Sequence, residues 1–247
     1  MYDLVIIGAG ASGMAAALSA KKENPKAKVL ILEALPRVGK KILATGNGRC
    51  NLTNFSATPE SYGNPFVASV IKQYPPEKIV SFFSSIGLES VSDSESRVYP
   101  MSNMASSVLD CLRFEIERLG IEVLTETKAE SVKSVNGIFI INSKMRTKKL
   151  IVSAGGKASP SQGSDGSGYE LLRSLGHRIT PLYAGLVQLT VKENLIGEFH
   201  ISLHTVQWFR VQILCHKYNL LALSLRSYFL SFDITIHKIG IIMRSTS

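Results

Sequence analysis

Hydrophobic and polar positions along the 247-residue chain switch between two periods, and each switch marks an element. Leu4 to Ile7 is an unbroken apolar run, the pattern of a strand buried on both faces of a parallel sheet. It runs into glycines, after which Ser12 to Lys22 reads as a helix stopped by Pro25, and a second apolar run, Val29 to Leu32, ends on Glu33. Pro65 to Gln73 and Glu77 to Ile86 read as two further helices, punctuated by Pro75 and Pro76 and closed by Gly87. Met104, Val108, Cys111, Leu112, Ile116 and Leu119 recur at helical spacing until Gly120, which predicts an amphipathic crossover helix leading to Ile121 to Leu124 as a third parallel strand. An antiparallel signal follows. Ala129 to Val135 and Ile138 to Ile141 flank the hairpin pair Asn136-Gly137, a polar turn starts at Asn142, and Lys149 to Ser153 completes a meander. A helix over Tyr169 to Leu175, with Asp165 or Ser167 as its N-cap and Gly176 beyond its end, is the last clear element.

Between the second strand and the first of the paired helices, residues 34–58 hold Arg37, Gly39, Lys40, Lys41, Gly46, Gly48 and Arg49 without a period of their own. A polar, glycine-rich loop of this length inside a domain is expected to enclose a ligand. Apolar residues make up 45 % of the chain, enough for a sizeable core. The net charge of +9 comes from scattered residues, and its one cluster, Lys144 to Lys149, reads as a solvated loop beside a hairpin, so nucleic acid is not an expected partner. Leu220 to Ile242 is interrupted by Arg226, Asp233, His237 and Lys238, which argues against a membrane span, and no basic leader precedes the first apolar run. Cytoplasm is therefore the expected compartment. Three cysteines, Cys50, Cys111 and Cys215, lack paired spacing, so neither a disulfide framework nor a zinc site is expected; Cys111 belongs to a helix's apolar face.

The chemistry gathers at the first turn. Gly8, Gly10 and Gly13 form a G-x-G-x-x-G sequence between a strand and a helix, with an acid, Glu33, closing the next strand. In that unit the first glycine makes the turn, the second admits a pyrophosphate, and the third lets helix pack on strand. Unpaired N–H groups at Ala11 and Ser12 face the phosphates, and the Glu33 carboxylate can accept ribose hydroxyls, which favours FAD or NAD over a 2′-phosphorylated nucleotide. The small residues Ala154, Gly155 and Gly156 form a second place where backbone can lie against a flat or phosphorylated ligand, and a meander after the third strand points to FAD.

Tyr2 to Gly13, Glu33, the run from Gly39 to Asn54 with its Gly-Arg-Cys-Asn-Leu-Thr-Asn core, Arg97 to Pro100, and Ile151 to Lys157 with Gly163 to Gly168 resemble the bacterial BaiN/RdsA-like FAD-dependent oxidoreductases, also labelled aminoacetone-oxidase-like or bile-acid-reductase-like. The resemblance covers residues 1–198. It implies an α/β, glutathione-reductase-like two-dinucleotide-binding (Rossmann-type) FAD fold with a β-meander insertion. It also implies that FAD meets Gly8, Gly10, Ala11, Ser12, Gly13 and Glu33 with its adenosine half, Gly39, Lys40, Lys41, Gly48, Arg49 and Asn51 with its pyrophosphate and flavin, the backbone of Ala129 with its adenine, and Ala154 and Gly155 at a second small-residue contact. Asn47 stands where many members have glycine, and Asn tolerates positive φ.

Family members are longer, so the fold is expected to be incomplete at the C-terminus: an FAD-binding part over 1–190, then over 191–247 the start of an inserted β-rich domain and an atypical tail. From Phe199 the chain has a single acid, Asp233, and His200, His204, His216 and His237, whose spacing fits no metal motif. The expected activity is hydride or electron transfer to or from a small organic substrate, such as an enone or amine, with NAD(P)H as a candidate co-substrate and no catalytic residue singled out. The alternative is an inactive fragment or non-catalytic nucleotide-binding module. A tRNA-modifying flavoprotein, which shares the first unit, lacks a concentrated basic surface here. Exposed apolar edges are expected to promote association.

Overall fold

Four consecutive residues of the first strand, Leu4 to Ile7, are built to be covered from both sides, and the structure buries all four. The computed structural model describes residues 1–62, 65–182, 189–191 and 241–243. These belong to two units, Met1–Ile179 and Thr180–Ser247. In the first, β1 (Tyr2–Ile7) lies parallel to β2 (Val29–Leu32), which lies parallel to β6 (Glu122–Leu124). On its other side β1 pairs in parallel with β9 (Met145–Val152), and the meander β7 (Val132–Val135), β8 (Ile138–Ile141) and β9 continues the sheet in the order β6-β2-β1-β9-β8-β7.

Alternation along β1 and β2 splits the core in two. Leu4, Ile6, Val29 and Ile31 face α1 (Ala11–Glu23) and α5 (Ala105–Arg118), meeting Met14, Ala17, Leu18, Val108, Leu112 and Ile116. Val5, Ile7, Leu30 and Leu32 face the other way, onto Ala129, Val132, Ile141 and Leu171, the last from α6 (Ser167–Ser174). Each fully buried aliphatic side chain contributes about 1.5–3 kcal/mol, against about 1 kcal/mol net for a ladder hydrogen bond, so the two apolar faces decide which strands are central. Cys111 lies half-buried against the first of these clusters, on the helix face expected of it.

Several elements differ from the sequence expectations. The loop over 34–58 carries structure of its own: α2 (Lys40–Ala44), a 3-10 turn (Thr45–Gly48) and β3 (Thr53–Asn54), which pairs with β5 (Arg97–Pro100), itself paired with β4 (Ser90–Ser92). The basic cluster is not a solvated loop but largely strand, since β9 begins at Met145 and carries Lys148 and Lys149 outward. α3 (Pro65–Gln73) has its expected bounds, whereas α4 (Pro76–Ser84) stops two residues before Ile86. Gly166 occupies the N-cap of α6, and Asp165, just before it, accepts the Ser167 N–H at 2.9 Å. In the second unit β10 (Leu189–Val191) and β11 (Ile241–Met243) pair antiparallel. The tail histidines and Cys215 lie outside the described residues. Among the described residues no helix is long and apolar enough to cross a membrane, and no group of three His, Cys, Asp or Glu side chains could hold a metal ion.

Candidate coenzyme-binding site

The glycine turn at the C-terminal end of β1 is closed by contacts that leave no room for a side chain except at one position. Gly8 has φ +102°, and a Cβ there would lie 2.6 Å from the carbonyl oxygen of Ser153 at the end of β9. A Cβ on Gly13 would overlap the Gly8 carbonyl oxygen and lie 2.7 Å from Ser153 Oγ. At Gly10 the same addition meets nothing within 4 Å. So Gly8 and Gly13 are closed by the protein itself, while Gly10, the N-cap of α1, opens on empty space. No side chain caps α1, its first turn holds no acid, and the N–H groups of Ala11 and Ser12 stand at a 13-residue helix's positive end.

Three loops converge on that turn. Glu33 Oε2 accepts the Ala9 N–H and Oε1 the Leu35 N–H, both at 2.9 Å, so the carboxylate spans the turn and the chain leaving β2. Gly39 N–H donates to the Ala9 carbonyl at 2.9 Å, which fixes the start of α2 against the same peptide. Ser153 N–H donates to Ile7 O at 2.8 Å, and its Oγ lies 3.0 Å from Ile7 O and 3.1 Å from Gly8 O. That places Ala154 and Gly155 beside the glycine turn. Lys41 Nζ donates to Ser164 Oγ, which a Cβ on Gly155 would approach to 2.5 Å, and Lys40 Nζ donates to Ser161 O at 2.7 Å. Among the described residues neither lysine has a carboxylate partner, so two positive charges on α2 are satisfied only by neutral oxygens.

Gly48, Arg49 and Asn51 belong to a second part of the site. The Arg49 guanidinium lies 4.3 Å over the Tyr99 ring, and Asn47, at φ +54°, adopts the left-handed conformation that its side chain tolerates. A mostly apolar cleft of about 680 Å³ joins this part to the turn: Ala11 and Ser12 line it together with Cys50, Asn51, Leu52 and Phe82. Burial pushes the Cys50 thiol up from its ordinary pKa, opposed by a Thr45 hydrogen bond. Ala129 lies apart from these, buried at the foot of the meander beneath Asn142. Nearby, hydrogen bonds from Ser167 and the ammonium of Lys128, 3.3 Å away, hold the Asp165 carboxyl down to about 2. Sequence reasoning did not single out Ser153 or Ser164 as parts of the site, and the only signal for either is its place beside small residues.

A diphosphate fits this donor set. An open glycine N-cap, an uncapped helix end and two lysines lacking acids offer hydrogen bonds and positive charge. With the parallel sheet and meander, they define a Rossmann-type dinucleotide-binding protein of the FAD-dependent kind. The chain belongs to the HI0933-like Rossmann-domain family, whose model matches residues 2–200.

It is 43 % identical over 200 residues to 3-dehydro-bile acid delta(4,6)-reductase of Clostridium scindens, covering 78 % of this chain and 49 % of that protein. It is 29 % identical over 211 residues to ribosomal RNA dihydrouridine synthase of Escherichia coli, covering 81 % and 51 %. The chain thus spans about half the length of the curated relatives it matches. Among solved structures it is similar to 3-ketosteroid-delta4-(5alpha)-dehydrogenase from Rhodococcus jostii RHA1, with a TM-score of 0.53, 13 % identity, and 76 % and 54 % of the two chains covered; that likeness concerns the fold. The exclusion of nucleic acid as a partner finds no support in these relatives, one of which is named for ribosomal RNA.

Proposed function

We propose that residues 1–190 form the coenzyme-binding part of an FAD-dependent oxidoreductase acting on a small organic substrate. The observation that carries this reading is the contrast at the first turn, where Gly8 and Gly13 are filled by protein and Gly10 alone faces open space at an uncapped helix end. Ala11 and Ser12 N–H groups bind the diphosphate, Lys40 and Lys41 offset its charge, and Glu33 orients the ribose with the lone pairs its two backbone bonds leave over. Gly48, Arg49, Asn51, Ala154 and Gly155 line the path of the rest of the coenzyme, and Ala129 meets the base. Bound FAD supplies hydride or electron transfer.

The mostly apolar lining of the cleft beside Asn51 suits an apolar substrate. The relative named as a bile acid reductase favours reduction of a conjugated double bond, with NAD(P)H as the source of electrons. The test is the purified chain itself. Yellow protein with flavin absorbance near one equivalent supports the reading. Colourless protein that still binds ADP supports a non-catalytic nucleotide-binding module instead, and protein that binds neither refutes both.

A further inference from the structure

Tyr99 lies on β5, the middle strand of the sheet β3-β5-β4, and is buried, 6 % exposed. Its main chain pairs with Val91 of β4, and its ring meets the turn Thr45–Gly48, where a Cβ on Gly46 would come within 3.4 Å of Cε1. Arg49 leaves that turn and folds back onto it. Its backbone N–H and its Nε both donate to the Gly46 carbonyl at 3.2 Å. Its Nη2 donates to Tyr99 Oη at 3.4 Å, and the guanidinium carbon lies 4.3 Å from the centre of the ring. A guanidinium carries five N–H groups. Two are used here, and among the described residues no carboxylate pairs with Arg49, so a half-buried cation is held in place with donors to spare.

α2 separates this cation from the diphosphate site. It starts at Gly39, whose N–H is bonded to Ala9 at the glycine turn, and its five residues span about 7.5 Å before the turn that carries Arg49. A nucleoside diphosphate seated on Ala11 and Ser12 therefore ends short of Arg49, whereas a coenzyme that continues past the diphosphate reaches it. We propose that Tyr99 is a positioning residue for coenzyme selection: its ring fixes the Arg49 guanidinium so that the spare N–H groups meet oxygens of the riboflavin half of FAD. This role depends on the coenzyme reading above. An arginine already stacked on a buried ring loses little side-chain freedom when the ligand arrives, so more of each new hydrogen bond survives as affinity. Lysine has neither the flat face nor the forked donors to take its place.

Titration calorimetry with FAD and with ADP on the flavin-free full chain tests this. The unaltered protein binds FAD more tightly than ADP. Tyr99→Leu loses about three- to tenfold in FAD affinity, the factor a cation–π contact of this kind supplies, and binds ADP as before. Tyr99→Phe keeps the ring and gives up only a long hydrogen bond, so it stays within about twofold of the unaltered protein for both ligands. Arg49→Lys keeps the charge without the stacked fork and loses FAD affinity as Tyr99→Leu does, which decides the matter if the leucine variant does not fold. Unchanged FAD affinity in folded Tyr99→Leu or in Arg49→Lys overturns the proposal, and so does a parallel fall for FAD and ADP, the mark of a merely structural ring. Unaltered protein that binds ADP but FAD no better overturns the role of Tyr99 and leaves the diphosphate site standing. Unaltered protein that binds neither overturns the coenzyme reading, and this proposal with it.

Discussion

Gly10→Ala and Gly13→Ala differ by three positions and one methyl group each, yet the structure assigns them opposite consequences. At Gly10 the backbone has φ −80° and ψ −175°, open to any residue, and the added carbon touches nothing. Losing a glycine N-cap costs about 0.5–1 kcal/mol, and the stiffer unfolded chain returns about 0.4–1 kcal/mol, so stability changes by less than about 0.5 kcal/mol. At Gly13 the methyl overlaps the Gly8 carbonyl oxygen, which cannot retreat because Ser153 closes on it from the far side. The helix gains about 1 kcal/mol from alanine, but overpacking against fixed backbone costs about 1–3 kcal/mol and disturbs the turn as well. Thermal melting of Gly13→Ala therefore falls, at about 2–4 °C per kcal/mol for a chain of this size, whereas Gly10→Ala melts with the unaltered protein. Binding reverses the order of interest: Gly10→Ala loses at least tenfold in ADP affinity by calorimetry with its fold intact, because its methyl stands where the diphosphate would lie. A Gly10→Ala protein that binds ADP normally, or that loses stability as Gly13→Ala does, refutes the reasoning.

Two further outcomes follow from the same geometry. Glu33→Ala leaves the Ala9 and Leu35 N–H groups without an acceptor, a loss of about 1–3 kcal/mol, and lowers ADP affinity as well; a melting curve and a titration both unchanged would contradict the double role. Asp165 has a carboxyl depressed from 3.8 to about 2 in the folded protein, so it stabilises the fold above pH 3.8 and this contribution fades as pH falls to about 2. The melting-temperature gap between the unaltered protein and Asp165→Asn is then constant near neutrality and closes between pH 4 and 2; a gap that widens on acidification reverses the sign.

Elements whose signal is local were legible in the chain. The apolar runs of β1 and β2, the helix between them, the Asn136-Gly137 hairpin and the spaced apolar face of α5 all follow from short-range pattern, and the structure has them within a few residues. What sequence did not disclose depends on distant partners. β3 is two residues long and exists because β5 lies beside it, so nothing in Thr53 and Asn54 marks a strand. The lysines of β9 break an apolar pattern yet fit a strand whose outer positions are solvated, which hid its first four residues. For the site, the glycines and Glu33 were visible as a motif. The reach of Ser153 to Gly8 and of Asn142 to Lys128 was not, because each joins residues that only the folded sheet brings together.

β1 emerges first from the ribosome, but one of its two neighbours, β9, follows about 145 residues later. At the usual pace of translation, 5–20 residues per second, that interval lasts roughly 7–30 s. Through it the buried apolar run Leu4 to Ile7 can be shielded on one edge only, by β2. Nascent chains of this protein are thus exposed to capture by chaperones, or by one another, until the meander has been synthesised.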